Sequence, residues 1–271
     1  MNVFVKLTAS FAATVALMSG VSAQAEFSLE GLSAEQQGLA IAKERKARDL
    51  GWGDSTSSVI MTLRNAQGEE SIREMRMKSL EVANDGDKGL TIFDTPKDVK
   101  GTAFLNFSHI EKSDDQWLYL PALKRVKRIS SRNKSGPFMG SEFAYEDLSS
   151  FEIEKYSFKF LAEEKVNGID CYKIEQIPTD KNSGYTRQVA WLDKEHFRGQ
   201  KVDFYDRKKS LLKTLTLSDY KLYLGKYWRP MKMDMLNHQT EKSTELNTLE
   251  LAFRTGLKDS DFNKATLKRA R

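Results

Sequence analysis

The chain has 271 residues, 43 basic and 38 acidic, for a formal charge of +5. So even a balance argues against a general nucleic-acid binder, and a mean hydropathy of -0.56 describes a water-soluble surface. Cys171, the single cysteine, excludes a disulfide framework within the chain, leaving core packing and strand pairing to hold it together.

Residues 1–25 read as a secretory signal peptide: Lys6, an apolar run over 7–18, then the small residues Ser22-Ala23-Gln24-Ala25. The run is shorter than the roughly 20 apolar residues that a membrane-crossing helix needs. Cleavage after Ala23 or Ala25 fits equally well, and no cysteine follows either site to carry a lipid anchor. The expectation is an exported, unanchored periplasmic protein whose residues 26–271 form one domain.

After the capping residue Ser33, a helix is predicted over 35–50, with a modest stripe of Leu39, Ala40, Ala42, Ala47 and Leu50 that suits packing against a sheet. Gly51 and Gly53 stop it. From Ser55 the period becomes two: Val59, Met61 and Leu63 alternate with polar residues, a turn follows at 65–68, and Met75 and Met77 continue the pattern in a first hairpin. Short strands follow at 90–93, 102–107 and 116–120. The basic run 123–129 (LKRVKRI) alternates imperfectly and has two readings, the charged edge of a strand or a docking patch of Lys124, Arg125, Lys127 and Arg128 for anionic headgroups or an acidic partner. Residues 132–140, centred on Gly136-Pro137, suit a mobile lid, and a short helix fits 145–151. Further strands are expected at 156–163, 169–177, 185–192, 199–205, 211–222, 228–236 and 244–253, the last with Leu249, Leu251 and Phe253 on one face. About ten strands with short connections imply a mainly β protein, an antiparallel sheet that curls and whose inner face the helix and middle loop would cover.

Residues for catalysis are sparse. His109, His196 and His238 stand far apart, and no paired cysteine, nucleophile elbow, P-loop or dinucleotide fingerprint occurs. The segment 84–89 (NDGDKG) has the look of a calcium loop but lacks the later bidentate acid and carries Lys88, so it reads as a turn. Cys171 reads as a small buried hydrophobe. The expectation is a protein that is not an enzyme, with no cofactor and no metal.

Soft apolar side chains are more informative. Met61, Met75, Met77, Met231, Met233 and Met235 lie on predicted strands and Met139 in the middle loop, the last three of the strand set alternating with Lys232 and Asp234. Trp117, Tyr119, Trp191 and Phe204 share the strands; Phe138, Phe143 and Tyr145 share the loop region. Unbranched, polarizable methionine accepts variable apolar shapes, so these residues together with Leu63 are the expected lining of an apolar cavity. Burying half of a sixteen-carbon chain would contribute roughly 6 kcal/mol before ordering costs, so such a binder needs no polar motif.

Four segments in this order carry a family resemblance: 48–54 (RDLGWGD), 117–121 (WLYLP), 124–129 (KRVKRI) and 140–148 (GSEFAYEDL). With them the chain resembles the LolA-like periplasmic family of outer membrane lipoprotein-sorting proteins, in its longer sorting-protein-like branch. The resemblance spans about residue 34 to residue 253. It implies an incomplete, strongly curved antiparallel barrel closed by helices around an apolar cavity, and carriage of lipoprotein acyl chains or other lipids between membranes. It also implies an inner-membrane exporter of the resistance-nodulation-division type as partner, with transient membrane-surface contact and no nucleic acid. A reading from another class remains open, that of an interaction module that docks on an envelope transporter through its basic patch and carries nothing.

Overall fold

The computed structural model describes residues 27–269, so the expected signal peptide lies outside the described residues. From Gly31 onward they form one compact unit. One helix, α1 (Ala34–Arg48), precedes thirteen strands: β1 (Asp54–Arg64), β2 (Glu70–Leu80), β3 (Lys88–Thr95), β4 (Ala103–Phe107), β5 (Asp115–Leu120), β6 (Arg125–Ile129), β7 (Tyr156–Val166), β8 (Ile169–Pro178), β9 (Arg187–Asp193), β10 (Gly199–Tyr205), β11 (Leu211–Tyr223), β12 (Tyr227–Asn237) and β13 (Ser243–Phe253).

All thirteen belong to one sheet in the order β6-β5-β4-β3-β2-β1-β13-β12-β11-β10-β9-β8-β7. Neighbours pair antiparallel, and β1 pairs with β13, so the first and last strands meet at the centre. The edges are therefore β6 and β7, consecutive in sequence. The sheet is curved and does not close, and residues 130–155 cross from one edge to the other over its inner face in short 3-10 turns.

Ser33 caps α1 as its residue type predicts: its hydroxyl accepts from the Gln36 amide at 3.3 Å, and the Gln36 side chain accepts from the Ser33 amide at 2.9 Å. The buried stripe differs from the expected one, being Gly38, Ile41 and Ala42, while Leu50 is 49% exposed. Gly38 explains the shift. A Cβ there would sit 2.7 Å from the Lys159 backbone, so only glycine lets the helix lie directly on β7, and that contact fixes which face turns inward.

Strand alternation sorts the apolar residues into two faces. Inward are Val59, Met61, Met75, Phe93, Phe104, Leu118, Phe204, Met235 and Leu246, packed with Phe138 and Phe143 of the crossing segment. Outward are Leu90, Ile92, Ala103 and Leu105, covered by Phe262 and Leu267 of the C-terminal residues. In β13 the register slips between Ser58↔Glu250 and Val59↔Thr248, so Leu249 bulges out, 54% exposed, and does not share a face with Leu251.

Candidate functional site

Between the sheet's inner face, α1 and the crossing segment lies a cavity of about 1010 Å³. That stands at the upper end of the ~300–1,000 Å³ usual for ligand pockets. Its apolar wall comes from Met77, Phe104, Phe143, Val202, Phe204, Leu215, Met233, Met235 and Leu246. Its polar wall includes Arg45, Asp87, Gln116, Tyr156, Gln176 and Gln188.

The crossing segment is pinned rather than loose. Phe138, 1% exposed, has its ring centre 5.1 Å from that of Phe104, 5.6 Å from Tyr145 and 5.8 Å from Phe93. Lys213 Nζ on β11 donates to Asp147 Oδ2 at 2.7 Å and to the Glu142 carbonyl at 2.8 Å. Asp147 also accepts from the Tyr185 hydroxyl at 2.8 Å, and burial together with this carboxylate pushes the Tyr185 phenol well up. Glu146 accepts from Ser183 Oγ at 2.7 Å and from the Gly184 amide at 2.8 Å, its own pKa raised by burial. The composition of 132–140 suits a mobile lid; these contacts make it a wedge, because Phe138 is sunk in the core with Met139 packed against it.

Of the residues expected to line the cavity, Met77, Phe143, Phe204, Met233 and Met235 are on its wall. Met61, Met75 and Phe138 are buried in the core behind it, with Leu63, Met139 and Tyr145 packed against that core. Met231 is 5% exposed, with the Tyr223 hydroxyl 3.4 Å from its sulfur. Trp117 and Tyr119 are on the outer face, because Gln116 and Leu118 of the same strand take the inward positions; they pack against the C-terminal cluster. Trp191 is likewise outward, beside Cys171 and Val189.

Cys171 is fully buried, and burial raises its thiol to about 11, which fits a core residue rather than a nucleophile. The histidines are held by neighbours: His109 Nδ1 lies 2.7 Å from Asp85, which pulls that carboxyl down to about 2, and His196 stacks on Trp228 at 5.0 Å. Among the described residues no group of His, Cys, Asp and Glu is arranged to hold a metal. The segment 84–89 forms a tight turn, in which a Cβ on Gly86 would meet the Ser108 backbone at 2.6 Å.

Two features of the site were missed in the sequence. Arg45 faces the cavity from the last turn of α1, its guanidinium carbon 4.6 Å from the centre of the Phe151 ring, and burial lowers its pKa. Its position four residues after Ile41 and seven after Gly38 was a usable signal once the true buried stripe is known. Asp87, also on the wall, is raised to about 6, chiefly by burial. Nothing local in the sequence marks that burial.

Of the basic run, Arg125–Ile129 form the edge strand β6 and Lys124 precedes it; Lys124, Arg125, Lys127 and Arg128 are all exposed, with Arg128 paired to Asp115 at 2.5 Å. The turn at Lys264–Arg269 packs on β4, β5 and β6, with Lys264 Nζ 5.6 Å from the Trp117 ring. Lys268 and Arg269 therefore join the same end of the sheet.

A protein-family model described as "Uncharacterized protein" matches residues 85–269. No curated protein sequence matches the chain. Among solved structures, a domain from Vibrio parahaemolyticus described as outer membrane lipoprotein-sorting is 71% identical, covers 87% of this chain and 100% of that one, with a TM-score of 0.86. A DUF1329 family protein from Desulfovibrio piger is 31% identical over 87% of this chain and 99% of that one, with a TM-score of 0.82. A LolA superfamily protein from Nitrosomonas europaea, 20% identical over 84% of this chain and 98% of that one at a TM-score of 0.67, shares the fold.

Proposed function

The chain belongs to the LolA-like family of outer membrane lipoprotein-sorting proteins, and on that premise we propose that it is a periplasmic carrier that holds lipid or lipoprotein acyl chains in its cavity. The observation that carries this reading is the cavity of about 1010 Å³, walled on one side by Met77, Phe104, Phe204, Met233 and Met235. Water contacts an apolar wall at a cost that a hydrocarbon tail removes, at about 0.8 kcal/mol for each buried methylene. Methionines at three of those positions adapt to tails of different shape. The chemistry asked of the protein is binding and release, which needs no nucleophile or proton donor.

In this proposal the leader at 1–25 exports the chain and residues 26–271 act as one carrier domain. In this reading the crossing segment, attached to both sheet edges and anchored by Phe138 in the core, is the fixed cover of the cavity. The exposed cations Lys124, Arg125, Lys127 and Arg128, joined by Lys268 and Arg269, serve as the docking surface for an anionic membrane. An inner-membrane exporter of the resistance-nodulation-division type belongs to the proposal on the family resemblance alone.

Titration with a fluorescent fatty acid tests the reading, comparing the native chain with Leu215→Trp and Val202→Trp, which fill the cavity from the apolar wall. Saturable binding that both substitutions weaken is the expected result. Binding that is absent, or that ignores both substitutions, removes the carrier reading and leaves the docking module.

A further inference from the structure

Among the described residues, six cations line the cavity: Arg45, Lys88, Lys112, Lys134, Lys155 and Arg229. Five have a carboxylate. Arg229 pairs with Asp49 at 2.5 Å, Lys134 with Asp180 at 2.7 Å and Lys112 with Asp115 at 4.0 Å, while Lys88 and Lys155 pair closely with Asp259 and Asp114. Arg45 makes no ion pair among the described residues: the nearby carboxylate of Asp49 is taken by Arg229, and the Arg45 guanidinium lies over the face of Phe151. The dipole at the C-terminal end of α1 favours cations there, which accounts for the charge of Lys46 and Arg48 as well. Those two nevertheless hold Glu152 and Glu44, at 3.0 and 2.7 Å. A guanidinium turned into a cavity with no anion of its own is a site for a guest's anion.

A second, independent observation lies on the same wall. Gln176 is 3% exposed, lines the cavity, and its Oε1 has no hydrogen-bond partner. Its Nε2 reaches Gln188 Oε1 at a long 3.5 Å. Buried polar atoms are ordinarily satisfied, so this amide end awaits a donor. Tyr156 links the two features: its ring stacks at 5.8 Å on Phe151, the ring that Arg45 covers, and Phe158, two residues on in its strand, pairs with Gln176. Arg45, Tyr156, Gln188 and Gln176 thus make a polar corner in a cavity that Met77, Met233 and Met235 also line.

We infer that this corner is a headgroup subsite for a phosphodiester-bearing amphiphile, a glycerophospholipid, with its phosphate on Arg45, a headgroup hydroxyl or ammonium donating to Gln176 Oε1, and its tails along the methionine wall. The inference rests on the carrier reading and goes beyond it by naming the cargo's polar end and its orientation. A lipoprotein's acyl chains bring no phosphate. Their ester and amide groups are neutral, so they would leave the Arg45 charge uncompensated, where a phosphate would neutralise it.

The test is isothermal titration of the full mature chain with dioctanoyl phosphatidylglycerol, with dioctanoylglycerol, which has the same tails and no phosphate, and with inorganic phosphate. The native protein is expected to bind the phospholipid at least about tenfold more tightly than the diacylglycerol, the scale of one charge-assisted contact. Arg45→Gln should abolish most of that ratio, Arg45→Lys should retain part of it, and Gln176→Leu should reduce it. The last two keep the test readable if Arg45→Gln folds poorly. A ratio near one in the native protein, or one unchanged in all three variants, overturns the subsite while the carrier reading stands. Failure of both lipids to bind overturns the carrier reading itself. Inorganic phosphate binding as tightly as the phospholipid would assign Arg45 to a free anion and overturn the lipid assignment.

Discussion

Replacing Lys213 by methionine removes the cation that clamps the crossing segment to β11 while keeping most of the side chain's volume. The Lys213 and Asp147 side chains are 4% and 7% exposed and lie 2.7 Å apart. Removing one member of a buried pair leaves an uncompensated charge and typically costs ~3–5 kcal/mol. Asp147 keeps two donors, the Tyr185 hydroxyl at 2.8 Å and the Ala144 amide at 2.7 Å, which places the expected loss near the lower end, about 3 kcal/mol. In a domain of this size that is a fall in Tm of about 6–12 °C, measured by calorimetry and by urea unfolding. Adding Asp147→Asn to Lys213→Met should recover part of the loss, since the stranded charge goes with it. Hydrogen exchange at the Phe138 amide, bonded to the Phe143 carbonyl at 2.7 Å, should quicken in the single variant. A loss below about 1 kcal/mol, or no recovery in the double variant, refutes the clamp.

Phe138→Ala withdraws the wedge at the centre of the core; unfolding should show a loss of about 3–5 kcal/mol, and a cost under 1 kcal/mol would mean the ring is not the anchor. Asp87 is raised from 3.8 to about 6 by burial, with Lys46 opposing and Glu152 and Glu81 adding to the rise. Its charged form is therefore disfavoured in the fold: the penalty is absent below the unfolded pKa, grows as pH rises through the window up to 6, and is full above it. Asp87→Asn should accordingly gain about 1–3 kcal/mol at pH 8 and little at pH 4, and a gain independent of pH in thermal unfolding would contradict the assignment. Lys124, Arg125 and Lys127 replaced together by Gln should weaken binding to vesicles rich in anionic phospholipid by on the order of 100-fold, at about 1 kcal/mol per charge, in a salt-sensitive manner. Equal binding by the native and substituted proteins in vesicle sedimentation would leave the basic edge with only its role in discouraging strand pairing.

Much of the sheet is legible from the period-two alternation, because each strand has one face on a core. The pairs Met233/Met235 and Met75/Met77 identify inward faces without any coordinates. What alternation cannot say is which face of a short strand is inward when both are apolar. Trp117 and Tyr119 pack outward against a cluster with Phe262 and Leu267, more than a hundred residues away, which cover that side. The stripe of α1 was misjudged for a related reason. Gly38 is buried by a backbone approach to Lys159, and a residue without a side chain carries no hydrophobic signal. The bulge at Leu249 shifts parity within one strand, which no repeating pattern predicts. The polar corner was hidden because its members, Arg45, Tyr156, Gln176 and Gln188, come from a helix and three strands, and each taken singly reads as a surface residue or a strand end.

Native mass spectrometry of the chain purified from the envelope of its host, with the organic extract of the same sample analysed for lipids, tests the central claim most directly. The account predicts a mass excess that extraction removes, equal to a bound amphiphile with a phosphate-containing headgroup. A homogeneous population at the bare polypeptide mass, which also takes up no lipid when offered it, would contradict the account.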